Sequence, residues 1–510
     1  MIKRVNNYIE SFLNNITMYR LVLYFLIVLL GFSLLLSLFG ALPFNFIQLL
    51  LSACLLVGIG LLINIIFAKV FDAPTNVESI YITALILALI INPATSIADL
   101  PFLLWAIVLS TASKFILAVG KKHIFNPAAV GIFLASMVTT KSATWWIGTI
   151  YTLPVVLLGS LLITKKIKKM NLVLSFFIVS MVFTLGLSFI SKTSILLVLE
   201  KAILYTPWLF FAFIMLTEPL TTPPTFRLQV IYAGVVGFLF SPKVHIGSFY
   251  TTLELALLIG NIYSYSVSPK NKLLLKLRES IALSPSAYDF VFNPGKKLKY
   301  LPGQYMEWTL GHKRPDNRGN RRYFTLASSP TENEIRIGVK FYKNPSSYKK
   351  ELMALSDNKK IVATQLAGDF VMPKDISQKL VFIAGGIGIT PFRSMIKYLV
   401  DTNQKRLITL FYSNNLESEI VYRDVFNDAV AKLGIKVIYT LTDTANLSAN
   451  WQGKTGFVDS KMIVEEIPDY KERTFYISGP RSMVAVFEDV LSKLGVKSAQ
   501  IKTDFFPGYA

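Results

Sequence analysis

The first 265 residues are cut into apolar runs that leave only a few folds open. The runs cover 21–39, 44–67, 80–97, 102–119, 127–137, 145–163, 172–190, 195–216, 228–240 and 249–265. A helix needs about twenty apolar residues to cross a bilayer, so most of these are long enough and the fifth and ninth are short. In hydrocarbon every backbone polar group must find its partner within the protein, which restricts such a chain to helices or a closed barrel. Runs of this length are helical, and the expectation is an all-α polytopic membrane bundle of about ten spans over residues 21–265. A mean hydropathy of +0.50 with 53% hydrophobic residues agrees with membrane embedding.

Charge placement orients the bundle. Residues 1–20 are polar and basic, with no cleavable leader evident, and read as a cytoplasmic segment. Even-numbered spans should then exit on the cytoplasmic side. Lys69, Lys114 with Lys121 and Lys122, Lys165 to Lys169, Arg227, and Lys270 with Lys272 all fall at such exits. The opposite loops carry only Asp99 and the single lysines Lys141, Lys192 and Lys243. An even count places everything beyond the bundle in the cytoplasm of a multi-pass cell-membrane protein.

Several function classes drop out on composition. Cys54 is the single cysteine, so no cysteine-ligated iron–sulfur cluster and no intrachain disulfide is encoded. His123, His245 and His312 are too few for two stacked haems, which argues against a haem-bearing transmembrane reductase, and no metal site is expected. The net charge of +21 is spread through loops and tails rather than gathered with aromatics, so nucleic acid is not a partner. Lipid is.

After the bundle the chain changes character. Residues 266–273 form a Ser, Pro, Lys and Asn linker, 273–277 and 289–292 read as strands, and 311–320 is a charged loop. Arg322-Tyr323-Phe324-Thr325-Leu326-Ala327-Ser328-Ser329 reads as a strand with an Arg, an aromatic and a hydroxyl in close order. Alternate residues share a face, so Arg322 and Phe324 would point one way and Tyr323 and Thr325 the other. A flat redox cofactor with a pyrophosphate tail uses such groups. The ordinary alternative is plain sheet. Further on, Val381 to Ala384 is an apolar strand that enters Gly385-Gly386-Ile387-Gly388-Ile389-Thr390-Pro391 and then a helical pattern. Glycines let backbone amides approach a ligand, and a helix start favours anions.

Residues 273–510 resemble the ferredoxin-NADP reductase superfamily. The resemblance is carried, in order, by Pro302-Gly303-Gln304-Tyr305, Arg322 to Ser329, Gly338-Val339-Lys340, Gly385 to Pro391, Ser478-Gly479-Pro480 and the aromatic end Phe505-Phe506-Pro507-Gly508-Tyr509. It implies an antiparallel β-barrel for FAD over 274–375 and an α/β domain for NADH or NADPH over 376–510. It further implies that Arg322 meets the FAD pyrophosphate, Phe324 lies on the isoalloxazine and Thr325 bonds near its N5. Tyr323 shares that strand, Val339 and Lys340 border the adenine, and Ser346 and Ser347 give amides and hydroxyls to phosphate, or simply cap a helix. Phe324 stands where the family usually has Tyr. Gly385, Gly386, Gly388, Thr390 and Pro391 would wrap the nicotinamide nucleotide, and Gly479 and Pro480 would close its pocket. Ser478 replaces a frequent Cys, and Phe505 would cover the flavin. Ser413, Asn414 and Arg423 sit where the family reads the ribose substituent, without deciding between NADH and NADPH.

Residues 20–265 are similar to the membrane family of the B subunit of sodium-translocating NADH:quinone reductase and the D subunit of the Rnf complex. The carriers are Phe125-Asn126-Pro127-Ala128-Ala129-Val130-Gly131, preceded by Ser113-Lys114, and Thr217-Glu218-Pro219-Leu220-Thr221-Thr222-Pro223. Asn-Pro and Glu-Pro interrupt helices, and backbone groups freed inside a membrane must face a cavity or ligand unless they lie at helix ends near the interface. The resemblance implies a flavin, FMN or riboflavin, near Asn126 and Glu218. The family links FMN to a Thr in an outer loop. Here Thr144 is the corresponding Thr, but Ser142 replaces the family's Gly and Val138 its Asp, which counts against a covalent link.

Together these readings describe a membrane flavoprotein that moves electrons from cytoplasmic NAD(P)H through FAD to a flavin in the bundle. From there they would pass to quinone or an extracytoplasmic carrier, with other electron-transport subunits as possible partners. The alternative is an ion or flavin transporter with a reductase attached, which Asp99, Glu200, Glu218 and Glu254 leave open.

Overall fold

The computed structural model describes residues 9–504 apart from 10–11, 14–15, 72–76, 120–121, 149, 168, 191, 242–243, 247–248, 269–272, 313–314, 317–318 and 357–358. The chain divides into two compact units, residues 1–271 and 272–510. The expected linker at 266–273 falls in part outside the described residues.

The first unit is helical. Its helices are α1 (Met18–Leu38), α2 (Phe46–Val70), α3 (Val77–Ile90), α4 (Leu100–Ile116), α5 (Pro127–Thr139), α6 (Leu153–Ile167), α7 (Met170–Ile190), α8 (Ile195–Leu204), α9 (Trp208–Phe210, continued by a π turn Phe211–Met215), α10 (Phe226–Leu239) and α11 (Leu253–Val267). Caps fix several starts. Thr17 accepts from the Arg20 amide, and Asn45 with Gln48 forms a capping box at α2.

The expectation of about ten spans is corrected by helix length. Among the described residues four helices are long and apolar enough to cross a membrane, or five if the bent pair at 195–215 is a single span. The apolar runs are real, but breakers inside them shorten the helices. Asn92-Pro93 follows the end of α3. Pro127 opens α5, and Thr140, at φ 57°, closes it after 13 residues. Trp145 and Gly148, both at positive φ, keep the run 145–163 from becoming helical until Leu153. Pro207 divides α8 from α9 with a 60° bend. A helix of 13–15 residues reaches only about 20–22 Å, short of a hydrocarbon core of about 30 Å.

The second unit opens with an antiparallel sheet curled into a half-barrel. Its strands are β1 (Leu273–Ala282), β2 (Ala287–Asn293), β3 (Tyr305–Thr309), β4 (Arg321–Thr325), β5 (Ile335–Lys340) and, after helix α12 (Ser347–Met353), β6 (Lys360–Ala367). The spatial order is β4-β3-β6-β1-β2-β5. β5 shows the pattern that makes such a sheet, with Ile335, Ile337 and Val339 buried and the residues between them half-buried.

A parallel α/β sheet follows. It runs β7 (Leu380–Gly385), α13 (Thr390–Asp401), β8 (Ile408–Asn414), α14 (Arg423–Leu433), β9 (Lys436–Leu441), β10 (Lys454–Thr455), α15 (Ser460–Glu466), β11 (Thr474–Ser478), α16 (Arg481–Lys493) and β12 (Ile501–Asp504). The strand order is β10-β9-β8-β7-β11-β12. Every residue of β7 is buried, as a central strand covered on both faces requires. The order reverses at β7, between β8 and β11, which is where ligands bind in open parallel sheets.

Candidate functional site

β4 pairs with β3 so that Arg322 faces Trp308 and Phe324 faces Met306, while Tyr323 faces Glu307 and Thr325 faces Tyr305. Arg322 and Phe324 converge on one ring. The Arg322 guanidinium lies 4.9 Å from the Tyr348 centroid, and the Phe324 and Tyr348 centroids are 6.1 Å apart. Arg322 Nη1 also donates to the carbonyls of Arg321 (2.7 Å) and Gly319 (3.3 Å). On the other face Tyr323 donates to Glu307 Oε2 at 3.0 Å and its ring meets Tyr305 edge-on. Thr325 is buried at the end of the strand. Tyr348 Oη and Gln365 Nε2 are buried without hydrogen-bond partners beside these side chains. Buried polar atoms of this kind suit a bound group that has its own donors and acceptors.

The two serines play different parts. Ser346 caps α12, accepting from the Lys349 amide at 3.3 Å. The Ser347 amide donates to Asp316 Oδ2 at 3.0 Å, and its hydroxyl accepts from the Asp316 amide at 2.9 Å and meets His312 Nε2 at 3.0 Å. A carboxylate of the 311–320 loop therefore sits where a phosphate was expected. Val339 is buried, and Lys340 Nζ pairs with Glu419 Oε1 at 2.9 Å.

At the end of β7, Gly385 leads into a 3-10 turn, Gly386–Ile389, and Thr390 and Pro391 open α13. Gly386 has φ 53° with open space where a side chain would stand. Ala384 and Ser478 lie side by side in register, so the Ser478-Gly479-Pro480 turn borders the glycine turn. A Cβ on Gly388 would fall 2.5 Å from the Ser478 carbonyl oxygen and 2.6 Å from Gly479 Cα. Asp504, the last described residue, pairs with Ser478, and Phe505 lies outside the described residues. The half-barrel comes close to this turn: a Cβ on Gly338 of β5 would lie 2.8 Å from Thr390 Cγ2 and 2.7 Å from Tyr422 Oη. Between the half-barrel and the parallel sheet a small pocket is lined by Ser286, Lys340, Gly386, Ile387, Asn414 and Glu419, among others.

The cluster behind this pocket was not read from the sequence. Arg393 pairs with Glu332 through two bonds, Nη1–Oε2 at 2.5 Å and Nη2–Oε1 at 3.0 Å. Asp289 accepts from Tyr422 Oη at 3.1 Å and from Arg336 Nη1 at 3.3 Å. Burial pushes the Asp289 carboxyl above the usual aspartate range, although Arg393 and Arg336 act against it. Burial acts on Glu332 in the same sense, but its bonds and charge interaction with Arg393 carry the net shift below the usual range. The one available signal was an acid in the middle of an apolar strand, Tyr288-Asp289-Phe290-Val291-Phe292.

Residues 382–489 match the family model described as "Oxidoreductase NAD-binding domain". The second unit is an NAD(P)H-dependent flavin oxidoreductase module. It takes FAD and a nicotinamide nucleotide. The chain is 28% identical over 241 residues to the flavohemoprotein of Bacillus anthracis, covering 45% of this chain and 59% of that one. It is 28% identical over 203 residues to the F subunit of Na(+)-translocating NADH-quinone reductase from Actinobacillus pleuropneumoniae, covering 37% and 49%. It thus spans well under two thirds of these relatives. Among solved structures, the FAD/NAD-binding domain of nitric oxide dioxygenase from Vibrio cholerae aligns with a TM-score of 0.40 and 23% identity, over 46% of this chain and 97% of that domain.

Away from the reductase module, the first unit gives Asn126, Glu218, Lys114 and Thr144 each a hydrogen-bond partner. Asn126 caps α5, its Oδ1 accepting from the Ala129 amide at 3.1 Å, and its own amide donates to Asn261 Oδ1 at 2.8 Å. Asn261 Nδ2 in turn donates to Tyr232 Oη at 3.3 Å. Glu218 meets His123 Nε2 at 3.3 Å and accepts from Thr221 Oγ1 at 3.1 Å, while Lys114 Nζ donates to the Ser79 carbonyl at 3.0 Å. Thr144 stands beyond the opposite end of α5. Its hydroxyl donates to Asn92 Oδ1 at 2.8 Å and its amide to the Ile90 carbonyl at 3.1 Å.

Proposed function

We propose that this protein is a membrane-bound NAD(P)H oxidoreductase whose reductase module feeds electrons to a flavin held in the helical unit, and from there to a membrane or extracytoplasmic acceptor. The observation that carries the reading is the fusion of the glycine-turn reductase module to a helical unit with buried polar groups at broken helix ends. When bound, FAD accepts a hydride from the nucleotide and can release the electrons singly. In this reading Arg322 neutralises its phosphates, while Phe324 and Tyr323 flank the strand it lies along. Thr325 donates near the ring's reactive nitrogen. Gly385, Gly386, Gly388, Thr390 and Pro391 bring backbone amides against the nucleotide. Ser478, Gly479 and Pro480 form the far wall that excludes water, and Val339 and Lys340 border the adenine. Phe505 would cover the exposed flavin face. None of these groups needs to exchange a proton, because hydride transfer depends on position.

In the helical unit the similarity to the NADH:quinone reductase B subunit and the Rnf D subunit supports a second flavin, FMN or riboflavin, near Asn126 and Glu218. Thr144 bonds to Asn92 there as an ordinary loop threonine. The test is flavin extraction from the purified full-length protein. FAD plus FMN or riboflavin is expected, both released by acid, with bleaching of both under anaerobic NADH. FAD alone would sink the membrane-flavin part.

The side chains that follow β8 support NADH as the nucleotide. In open parallel sheets an acid beyond the second strand accepts from the ribose 2′-hydroxyl, whereas an arginine there receives a 2′-phosphate. Glu417 follows the end of β8, and it holds both Arg423 Nη2 (3.0 Å) and Ser448 Oγ (2.5 Å). Arg423 is thereby engaged, and the carboxylate repels a phosphate. Glu417→Gln should raise kcat/KM for NADPH several-fold while leaving that for NADH nearly unchanged. Steady-state kinetics with both nucleotides checks this, and a wild-type preference for NADPH would reverse the assignment.

A further inference from the structure

We propose that Arg393, with Glu332, Asp289 and Tyr422, is a positioning clamp that sets the distance between the glycine turn and the flavin strand. It rests on the reading that the nucleotide docks at the turn. Arg393 stands three residues after Thr390, in the first turn of α13. Its Nη1 donates to the Ala327 carbonyl at 2.8 Å, two residues beyond Thr325. The next residue, Ser394, donates through Oγ to the next carbonyl, that of Ser328, at 2.6 Å. Neighbouring residues of the nucleotide helix therefore hold neighbouring carbonyls of the segment that leaves the flavin strand. Little chain lies between either reacting part and this junction.

The anion that fixes Arg393 comes from the same segment. Glu332 engages the guanidinium through both oxygens and also accepts from the Ser329 amide at 2.6 Å. A planar fork paired in this way has one orientation, which a lysine cannot reproduce. Behind it, the Tyr422 ring lies 5.4 Å from the Arg393 guanidinium, and Tyr422 Oη reaches across to Asp289 of β2. Tyr422 has φ 60°, a left-handed conformation that tyrosine rarely adopts. Such a conformation persists where the surroundings over-determine it. Asp289 and Arg393 are 1% and 5% exposed, so these two members of the cluster are shielded from salt and water, while Glu332 and Arg336 reach partly to the surface.

A buried ion-pair cluster is weak as a source of stability, because desolvation offsets most of its attraction. What it supplies is a single geometry. Hydride transfer is sensitive to geometry of this kind, since a displacement of about 1 Å can cost about a hundredfold in rate. A cluster that only held the domains together would move stability and nucleotide affinity, not the limiting rate at saturating nucleotide.

The test uses the full-length protein in detergent and two variants. The double variant Glu332→Gln/Arg393→Met removes both charges together, so that neither is left unpaired, at the loss of the donor to the Ala327 carbonyl. Tyr422→Phe removes one hydroxyl. Flavin reduction by saturating NADH is followed by stopped flow, and hydrogen–deuterium exchange is measured without nucleotide over 326–330 and 386–396. The limiting rate should fall about a hundredfold in the double variant and less in Tyr422→Phe, with the KM for NADH held within about twofold. Exchange should rise in both segments together. An unchanged limiting rate, a loss carried by KM, or exchange that rises in one segment alone overturns the proposal. If the double variant does not fold, Tyr422→Phe decides by the same readings. If the unaltered protein is not reduced by NADH, the nucleotide reading fails, and the exchange data still judge the clamp.

Discussion

Gly388→Ala is expected to abolish NAD(P)H oxidation while leaving FAD bound. The methyl carbon would stand 2.5 Å from the Ser478 carbonyl oxygen and 2.6 Å from both Ser478 C and Gly479 Cα. All three are backbone atoms, so no side chain can swing aside. Either the turn after β7 or the turn after β11 must move, and these are the two walls of the proposed nicotinamide pocket. A shift of about 1 Å at a reacting centre costs about a hundredfold, and kcat/KM should fall by at least that. Overpacking of this kind costs about 1–3 kcal/mol of stability, so the melting temperature should drop by several degrees. Gly386→Ala is the control. Nothing lies within 4 Å of a Cβ there, and the cost is the left-handed φ of 53°, about 1–2 kcal/mol. Its activity should fall far less. A Gly388→Ala protein with wild-type NADH oxidation and melting would show that the two turns do not meet as described.

The parts of this molecule that sequence reveals are those whose cause is local. A six-residue strand buried throughout, glycines, then Thr-Pro at a helix start, is a pattern that one short window contains, and so the parallel sheet was legible. The sharing of one face by Arg322 and Phe324 follows from the two-residue period of a strand, and both meet Tyr348. The same window could not show that Ser347 is engaged by Asp316, because that bond closes a loop of 31 residues. Arg393 and Glu332 are 61 residues apart, and Asp289 and Tyr422 are 133. Apart from Asp289 in its apolar strand, each looks like an ordinary surface charge or ring until the half-barrel and the parallel sheet are placed side by side. The span count failed for a related reason. Hydropathy averages over a run and passes through Trp145, Gly148 and Pro207, whereas the backbone is not helical at Trp145 and Gly148 and the helix is interrupted before Pro207. Those interruptions come with the polar groups that the helical unit buries, so the errors in counting spans fall near the residues of functional interest.

Asn261→Leu should separate the two halves of electron flow. Asn261 is fully buried in α11, accepts from the Asn126 amide and donates to Tyr232 Oη. Leucine has a similar volume and neither function. The substitution leaves the Asn126 amide and the Tyr232 hydroxyl without these partners. Each orphaned buried group costs about 1–3 kcal/mol, more than a marginal helix start can absorb. Asn126 is also the cap of α5, so the first turn of that helix should loosen, with its Oδ1 bond to the Ala129 amide. If the second flavin sits at this helix start, its content should fall to a small fraction of the wild-type value. NADH-driven reduction of a membrane acceptor should then drop at least about tenfold, while reduction of a water-soluble dye, which needs only the reductase module, stays within about twofold. Asn261→Asp, which keeps the acceptor for the Asn126 amide, should recover part of the flux. Equal loss of dye and membrane activity would mean that the substitution acts by unfolding the protein. Full retention of both would place the electron path away from α5 and α11.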